Sequence, residues 1–146
     1  MSEYTPPKFT DTPSDYEFFK DSGLCGLSNF GNTCFMNSII QCLSNTVEFT
    51  KYIISMEFQN ELAEDIDIKD DEIKILQKQL IIQWYKLQRV MWSRNAGCGP
   101  RSFHVVIQLL SSKMGRIEFV GGHQKDAQEF FGFLMENMHM ALCDEV

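Results

Sequence analysis

The sequence predicts a mostly α-helical chain, and three observations carry that reading. Apolar residues recur at steps of three and four in successive segments after residue 33, the spacing that puts them on one face of a helix. Runs rich in Gly, Asn and Pro punctuate those segments where helices must stop. Strand patterns are nearly missing, since only Arg116 to Val120 reads as extended.

Residues 1–22 are polar, with Pro6, Pro7 and Pro13, and read as a mobile lead-in. Gly23 to Asn32 reads as a loop with turns. Helical periodicity begins at Cys34, with Phe35, Ile39, Ile40 and Leu43 on one face, and fades at Ser44 to Thr46. A shorter apolar piece, Val47 to Ile54, is predicted helical too. The longest signal follows an acidic stretch: Ile73, Leu76, Leu80, Trp84, Leu87 and Met91 share a stripe. Asn95 to Pro100 ends it. Phe103, Val106, Ile107 and Leu110 mark another helix. After the Gly121-Gly122 turn, Ala127, Phe130 or Phe131, Leu134, Met138 and Ala141 mark the last.

The chain has 146 residues, 44% hydrophobic and 23% charged, which suits one globular domain with a real core. No apolar run approaches the ~18 residues of a membrane span. Met1 to Lys20 lacks the basic start and apolar core of a signal peptide, so an intracellular location, cytoplasmic or nuclear, is expected. The net charge is −7. Glu57 to Glu72 holds eight acids and one lysine, which gives −7 by itself, and the remainder sums to zero. That leaves no basic footprint for nucleic acid. The acidic stretch reads as a solvated loop or helix edge rather than a docking site for a basic partner. The five cysteines are odd in number and form no CxxC pair, so thiols in a reducing compartment are expected instead of a disulfide framework or a zinc site. No cofactor is called for.

One run is chemically pointed: Gly26-Leu27-Ser28-Asn29-Phe30-Gly31-Asn32-Thr33-Cys34-Phe35-Met36-Asn37-Ser38. A thiol in the first turn of a helix sits among N–H groups that have no intrahelical partner. The helix dipole there favours the thiolate, the nucleophilic form. Gly31 would let backbone approach closely, and Asn29 and Asn32 would offer amide donors. Together they suit the oxyanion formed when a thiolate attacks a carbonyl. Against this stands the plainer role of cysteine as a small buried hydrophobe, the role expected of Cys25, Cys42, Cys98 and Cys143.

The run Gly26 to Ser38, extended through Gln41-Cys42-Leu43, resembles the cysteine box of the ubiquitin-specific proteases. A second run, Gln124-Lys125-Asp126-Ala127-Gln128-Glu129-Phe130, is similar to that family's Gln-Asp-Ala-Gln-Glu-Phe box. The resemblance covers nearly the whole chain after residue 22, and it implies roles residue by residue. Cys34 matches the nucleophile of a cysteine-type deubiquitinase, and Asn29 matches an asparagine that helps line the oxyanion hole. Gln124 and Asp126 match positions that hold the C-terminal tail of ubiquitin, whose arginines suit an acidic partner. Lys125 departs mildly, since the family more often has glutamine or another polar residue there. The plainer account of this second box is a helix N-terminus with an acid in its first turn.

The resemblance also implies a papain-like fold in which the nucleophile lies on a helical thumb. The base histidine, and the Asp or Asn that orients it, come from a sheet-rich palm downstream. No run in this sequence resembles that histidine box, nor the cysteine-pair zinc sites of the family's fingers. The expected architecture is therefore the thumb-like portion over residues 23–146, palm and fingers absent. His123, directly before the second box, is the best-placed substitute base; His104 and His139 read as solvated or packing residues. A helix end supplies about 0.3–1 kcal/mol against ~1.4 kcal/mol for one pKa unit. A helix end alone thus leaves a thiol mainly protonated at neutral pH. The expected partners are ubiquitin, ubiquitinated proteins and a missing palm half, with no nucleic acid and no membrane. Two rival readings stay open: a non-catalytic helical module that binds ubiquitin's tail or another partner, and a helical domain whose cysteines only pack.

Overall fold

The computed structural model describes residues 19–55, 71–93, 95–121 and 123–143. Most of the lead-in and most of the acidic stretch lie outside the described residues. Five α-helices account for most of the rest: α1 (Cys34–Ser44), α2 (Val47–Ile54), α3 (Glu72–Ser93), α4 (Arg101–Lys113) and α5 (Ala127–Leu142). Among the described residues the extended pairing amounts to one isolated parallel bridge, Leu27 with Cys98. The mostly helical expectation holds. No helix of the described residues is long and apolar enough to cross a membrane.

The 22-residue α3 is the spine, packed against α2, α4 and α5. Its buried stripe, Leu80, Trp84, Leu87 and Met91, is the one the periodicity marks. Trp84 is fully buried, its ring 5.6 Å from Phe103 of α4 and 6.1 Å from Phe49 of α2. On α1 the core residues are Met36, Ile40 and Ser44, at i, i+4 and i+8, and Phe35, Ile39 and Leu43 pack partly buried beside them. Thr50 of α2 donates its hydroxyl to Ser44 O at 2.7 Å, which fixes the turn between these two helices. On α5 Phe130 and Phe133 face inward, while Phe131 is exposed.

The expected extended piece is a correction. Ile117–Phe119 is a 3-10 turn, and two local causes account for it. Gly115 takes φ +71° at the end of α4; Gly115 N–H donates to Ser112 O and Arg116 N–H to Ser111 O. These bonds form the Schellman arrangement, which needs a left-handed residue at that place. The tight turn then carries Phe119 into an aromatic cluster with Phe35, Phe130 and Phe133, with ring centroids 5.0 to 6.5 Å away. An extended segment would overshoot that cluster. Beside it, Arg116 pairs with Glu118 and holds that carboxyl below its usual range. The Arg116 guanidinium also lies over Phe119 and Phe133.

The α3–α5 interface contains a buried polar pair. Gln77 donates its amide to Asn137 Oδ1 at 2.9 Å, and Asn137 donates to Phe133 O at 2.8 Å. Replacing Gln77 with Leu strands a buried acceptor, and we expect a loss of about 1–3 kcal/mol. The double variant Gln77→Leu, Asn137→Leu removes both polar groups and should recover part of that loss. Urea unfolding of the four proteins checks this; strict additivity of the two single changes would refute the coupling.

Candidate active site

The loop before α1 is shaped by one side chain. Asn29 Oδ1 accepts three hydrogen bonds, from Gly31 N (2.9 Å), Thr33 N (3.2 Å) and Thr33 Oγ1 (3.2 Å). The acceptor face of the carboxamide is thereby saturated by the loop it encloses. Its Nδ2 has no partner among the described residues. Gly31 and Asn32 take φ +88° and +54°, so the chain reverses through the left-handed region, where glycine and asparagine are tolerated best. Gly31 serves that conformation and not a close approach, since a Cβ built there meets nothing within 4 Å.

Thr33 is the N-cap of α1, yet its side chain caps nothing. Its buried hydroxyl accepts from Phe30 N at 3.1 Å and donates to Asn29 instead. The N–H groups of the first turn of α1 are therefore left without a side-chain cap at the exposed residue Cys34. Such an end favours negative charge.

The loop is anchored from two sides. Ser28 N donates to Cys98 O and Cys98 N to Gly26 O, each at 2.9 Å. Gln41 of α1 donates to Cys25 O at 2.7 Å, and Asn37 to Ser28 O at 3.1 Å. Phe30 packs with two α4 residues: the Arg101 guanidinium is 5.4 Å from its ring centre and the His104 ring stacks at 6.1 Å. Burial lowers the pKa of His104 from its ordinary 6.5. Asn37, Gln41 and Thr33 are supports that sequence reasoning did not single out as such. Their only sequence signal is their spacing on and before the first two turns of α1.

The second box arrives from α5. Gln124 Oε1 accepts from Cys34 Sγ at 2.9 Å, across 90 residues of sequence. Asp126 is the N-cap of α5, and its carboxylate accepts from Gln128 N (2.8 Å) and Glu129 N (3.1 Å). Cys34 and Gln124 thus meet, while Asp126 is engaged in its own helix. No imidazole hydrogen-bonds to Cys34 among the described residues. His123 is exposed; His139 lies far along α5, its ring 3.2 Å from Cys143 Sγ. Of the cysteines expected to pack, Cys25 is buried and Cys98 half-buried, but Cys42 and Cys143 are exposed.

A family model described as ubiquitin carboxyl-terminal hydrolase matches residues 25–145. The chain belongs to that family. It is 35% identical over 119 residues to ubiquitin carboxyl-terminal hydrolase 4 of Mus musculus, which covers 80% of this chain and 11% of that protein. It is 35% identical over 142 residues to ubiquitin carboxyl-terminal hydrolase 15 of Homo sapiens, covering 95% and 13%. The Xenopus tropicalis form of hydrolase 15 is 38% identical over 120 residues, covering 80% and 11%. The chain therefore spans no more than about an eighth of the length of these hydrolase relatives.

Two outcomes follow from this geometry. Asp126→Ala should cost about 0.5–2 kcal/mol through the lost cap of α5, and Asp126→Asn much less; thermal unfolding of both variants checks it. Burial makes His104 take up a proton less readily in the fold than in the unfolded chain, where it titrates near 6.5. Stability should therefore fall as pH drops below about 6.5 and level off beneath the lowered folded value. His104→Phe should flatten that decline between pH 7 and 5.5 in urea titrations. An unchanged slope would place the acid sensitivity elsewhere.

Proposed function

We propose that this chain carries the nucleophile and oxyanion donors of a cysteine-type deubiquitinase, with Cys34 attacking the carbonyl at the C-terminus of ubiquitin. The observation that carries this reading is the state of Asn29. With its oxygen held by three donors, its Nδ2 is the free end of a fixed carboxamide, five residues before an exposed thiol at an uncapped helix start.

The chemistry then runs as follows. The Cys34 thiolate adds to the carbonyl carbon, and the oxygen takes up the negative charge. Asn29 Nδ2 and the first-turn N–H groups of α1 stabilise that charge without having to reorganise. The tetrahedral species collapses to a thioester and expels the amine of the conjugate, and water hydrolyses the thioester through a second oxyanion. Gln124 sits where a tail lying over the thiol would displace its contact with Cys34, and it would then accept from or donate to the tail's peptide groups. The second oxygen of Asp126 remains open to an arginine of that tail. General-base catalysis needs hydrogen-bond reach to the thiol, and we assign that task to a palm half that completes the site, not to His123. Alone, the chain is expected to turn over weakly or not at all.

The contact of Gln124 with Cys34 also suits one alternative, a helical module that holds ubiquitin's tail without cleaving it. A thiol-reactive ubiquitin separates the two: an adduct at Cys34 supports the enzyme reading, and reversible binding without an adduct supports the module. Asn29→Asp gives the sharper test, since aspartate keeps the acceptor for Gly31 and Thr33 but removes the donor. With a complementary palm half supplied, hydrolysis of a fluorogenic ubiquitin amide should fall about 10²–10³-fold while ubiquitin affinity changes little. Equal losses of rate and affinity would mean that Asn29 only shapes the loop.

A further inference from the structure

Cys25 and Cys98 stand apart from the chemistry assigned to Cys34. Their sulfurs are 3.4 Å apart, although 73 residues separate them in the chain. Among the described residues no other two cysteine sulfurs touch. Cys25 is 3% exposed. Cys98 is half-buried and lines a groove of about 230 Å³ between α3 and the start of α4, with Gln83, Lys86, Pro100 and Phe103.

The contact is imposed by backbone. The paired hydrogen bonds of Gly26 and Ser28 with Cys98, and the bond from Gln41 to Cys25 O, hold both strands of chain in register. The sulfurs, 3.4 Å apart, need approach by only about 1.4 Å to reach the ~2.05 Å of a disulfide. Cys98 is the more exposed of the two and faces the groove, so an oxidant reaches it first.

We infer that Cys25 and Cys98 are a reversible disulfide site that, under a peroxide, pins the loop ahead of Cys34 to the α3–α4 connector. The Cys98 thiolate attacks one peroxide oxygen; the O–O bond breaks, leaving a sulfenic acid and a hydroxide that is protonated to water. Cys25 sulfur then attacks the Cys98 sulfur. An S–S bond forms, the S–O bond breaks, and the departing hydroxide takes the Cys25 proton as a second water. Two thiols have lost two electrons, and one peroxide has become two waters. A dithiol reverses the step by exchange. Disulfides of this kind in reducing compartments are transient and responsive to oxidant. The inference does not depend on Cys34 being a nucleophile, and its assay reads mass, not turnover.

The test treats the 146-residue chain with a small molar excess of hydrogen peroxide, removes the peroxide, alkylates the remaining thiols, and maps peptides without reductant. We expect the Cys25 and Cys98 peptides to be linked in most molecules, with Cys42 and Cys143 still alkylated. The same linkage should form in Cys34→Ser, be lost in Cys98→Ser and disappear on adding dithiothreitol. The thermal midpoint of the oxidised protein should rise by several degrees, and that of oxidised Cys98→Ser should not. Cys25 and Cys98 recovered as separate alkylated peptides would overturn the inference. So would an unlinked sulfinic acid at Cys98, or linkages scattered over all cysteine pairs.

Discussion

Everything at the candidate site hangs on a short pairing between two stretches of irregular chain. The loop that delivers Cys34 has no sheet to lie on. It is held by the two main-chain bonds that Gly26 and Ser28 make with Cys98. Without that pairing Gly26 O and Ser28 N would need water, and Asn29 would have no fixed base from which to close its turn. The connector is in turn set by its flanks. Asn95 donates to Asp21 O and accepts from Leu24 N, while α4 begins immediately after Pro100. The burial of α3 and α4 against each other therefore fixes, at one remove, where the thiol stands.

Asn29 closes the loop on that anchor. A carboxamide has an acceptor end and a donor end, and a loop that consumes only the acceptor leaves the donor pointing outward. The same three bonds make the residue structural, so a change to alanine removes loop order and donor together and cannot apportion them. Aspartate keeps the acceptor, removes the donor and sets a carboxylate oxygen in its place. The dual role also explains why Thr33 leaves α1 uncapped. Its hydroxyl is committed to the loop, so it gives the first turn of the helix no side-chain cap.

The fold was readable wherever packing follows periodicity. The stripe Leu80, Trp84, Leu87, Met91 on α3 is amphipathic in sequence and buried in space. Local pattern failed where a tertiary target overrode it. Arg116 to Val120 alternates like a strand, but Gly115 ends α4 with a reversal and Phe119 is drawn into an aromatic cluster, so the piece tightens into a 3-10 turn. At the site, Asn29 and Cys34 were legible because one short run places them together. The contact of Cys34 with Gln124 could be anticipated only through the pairing of two distant boxes. The neighbourhood of Cys25 and Cys98 was not legible at all. Spacing rules for cysteine recognise near pairs, and these two are brought together by a parallel bridge between loops.

What a loop and a helix end of this kind could do chemically follows from magnitudes. Donor placement is local: one loop and one helix end supply it, and removing a single preorganised donor from an active site typically costs about 10²–10³ in rate. Thiol activation is not local. A helix end contributes about 0.3–1 kcal/mol, less than one pKa unit of bias toward thiolate. A base must come within hydrogen-bond reach to do more. In this chain the position beside the sulfur is taken by Gln124, a neutral acceptor that can hold the S–H but cannot carry its proton away. If Cys34 is the nucleophile we propose, a tail that competes for Gln124 and a base that competes for the thiol proton would both act on this contact. Binding and activation would then be coupled at one side chain. Gln124→Ala should accordingly speed alkylation of Cys34 by a small neutral reagent while weakening capture of a ubiquitin-based one. Equal effects on the two reagents would show that Gln124 does no more than shield the sulfur.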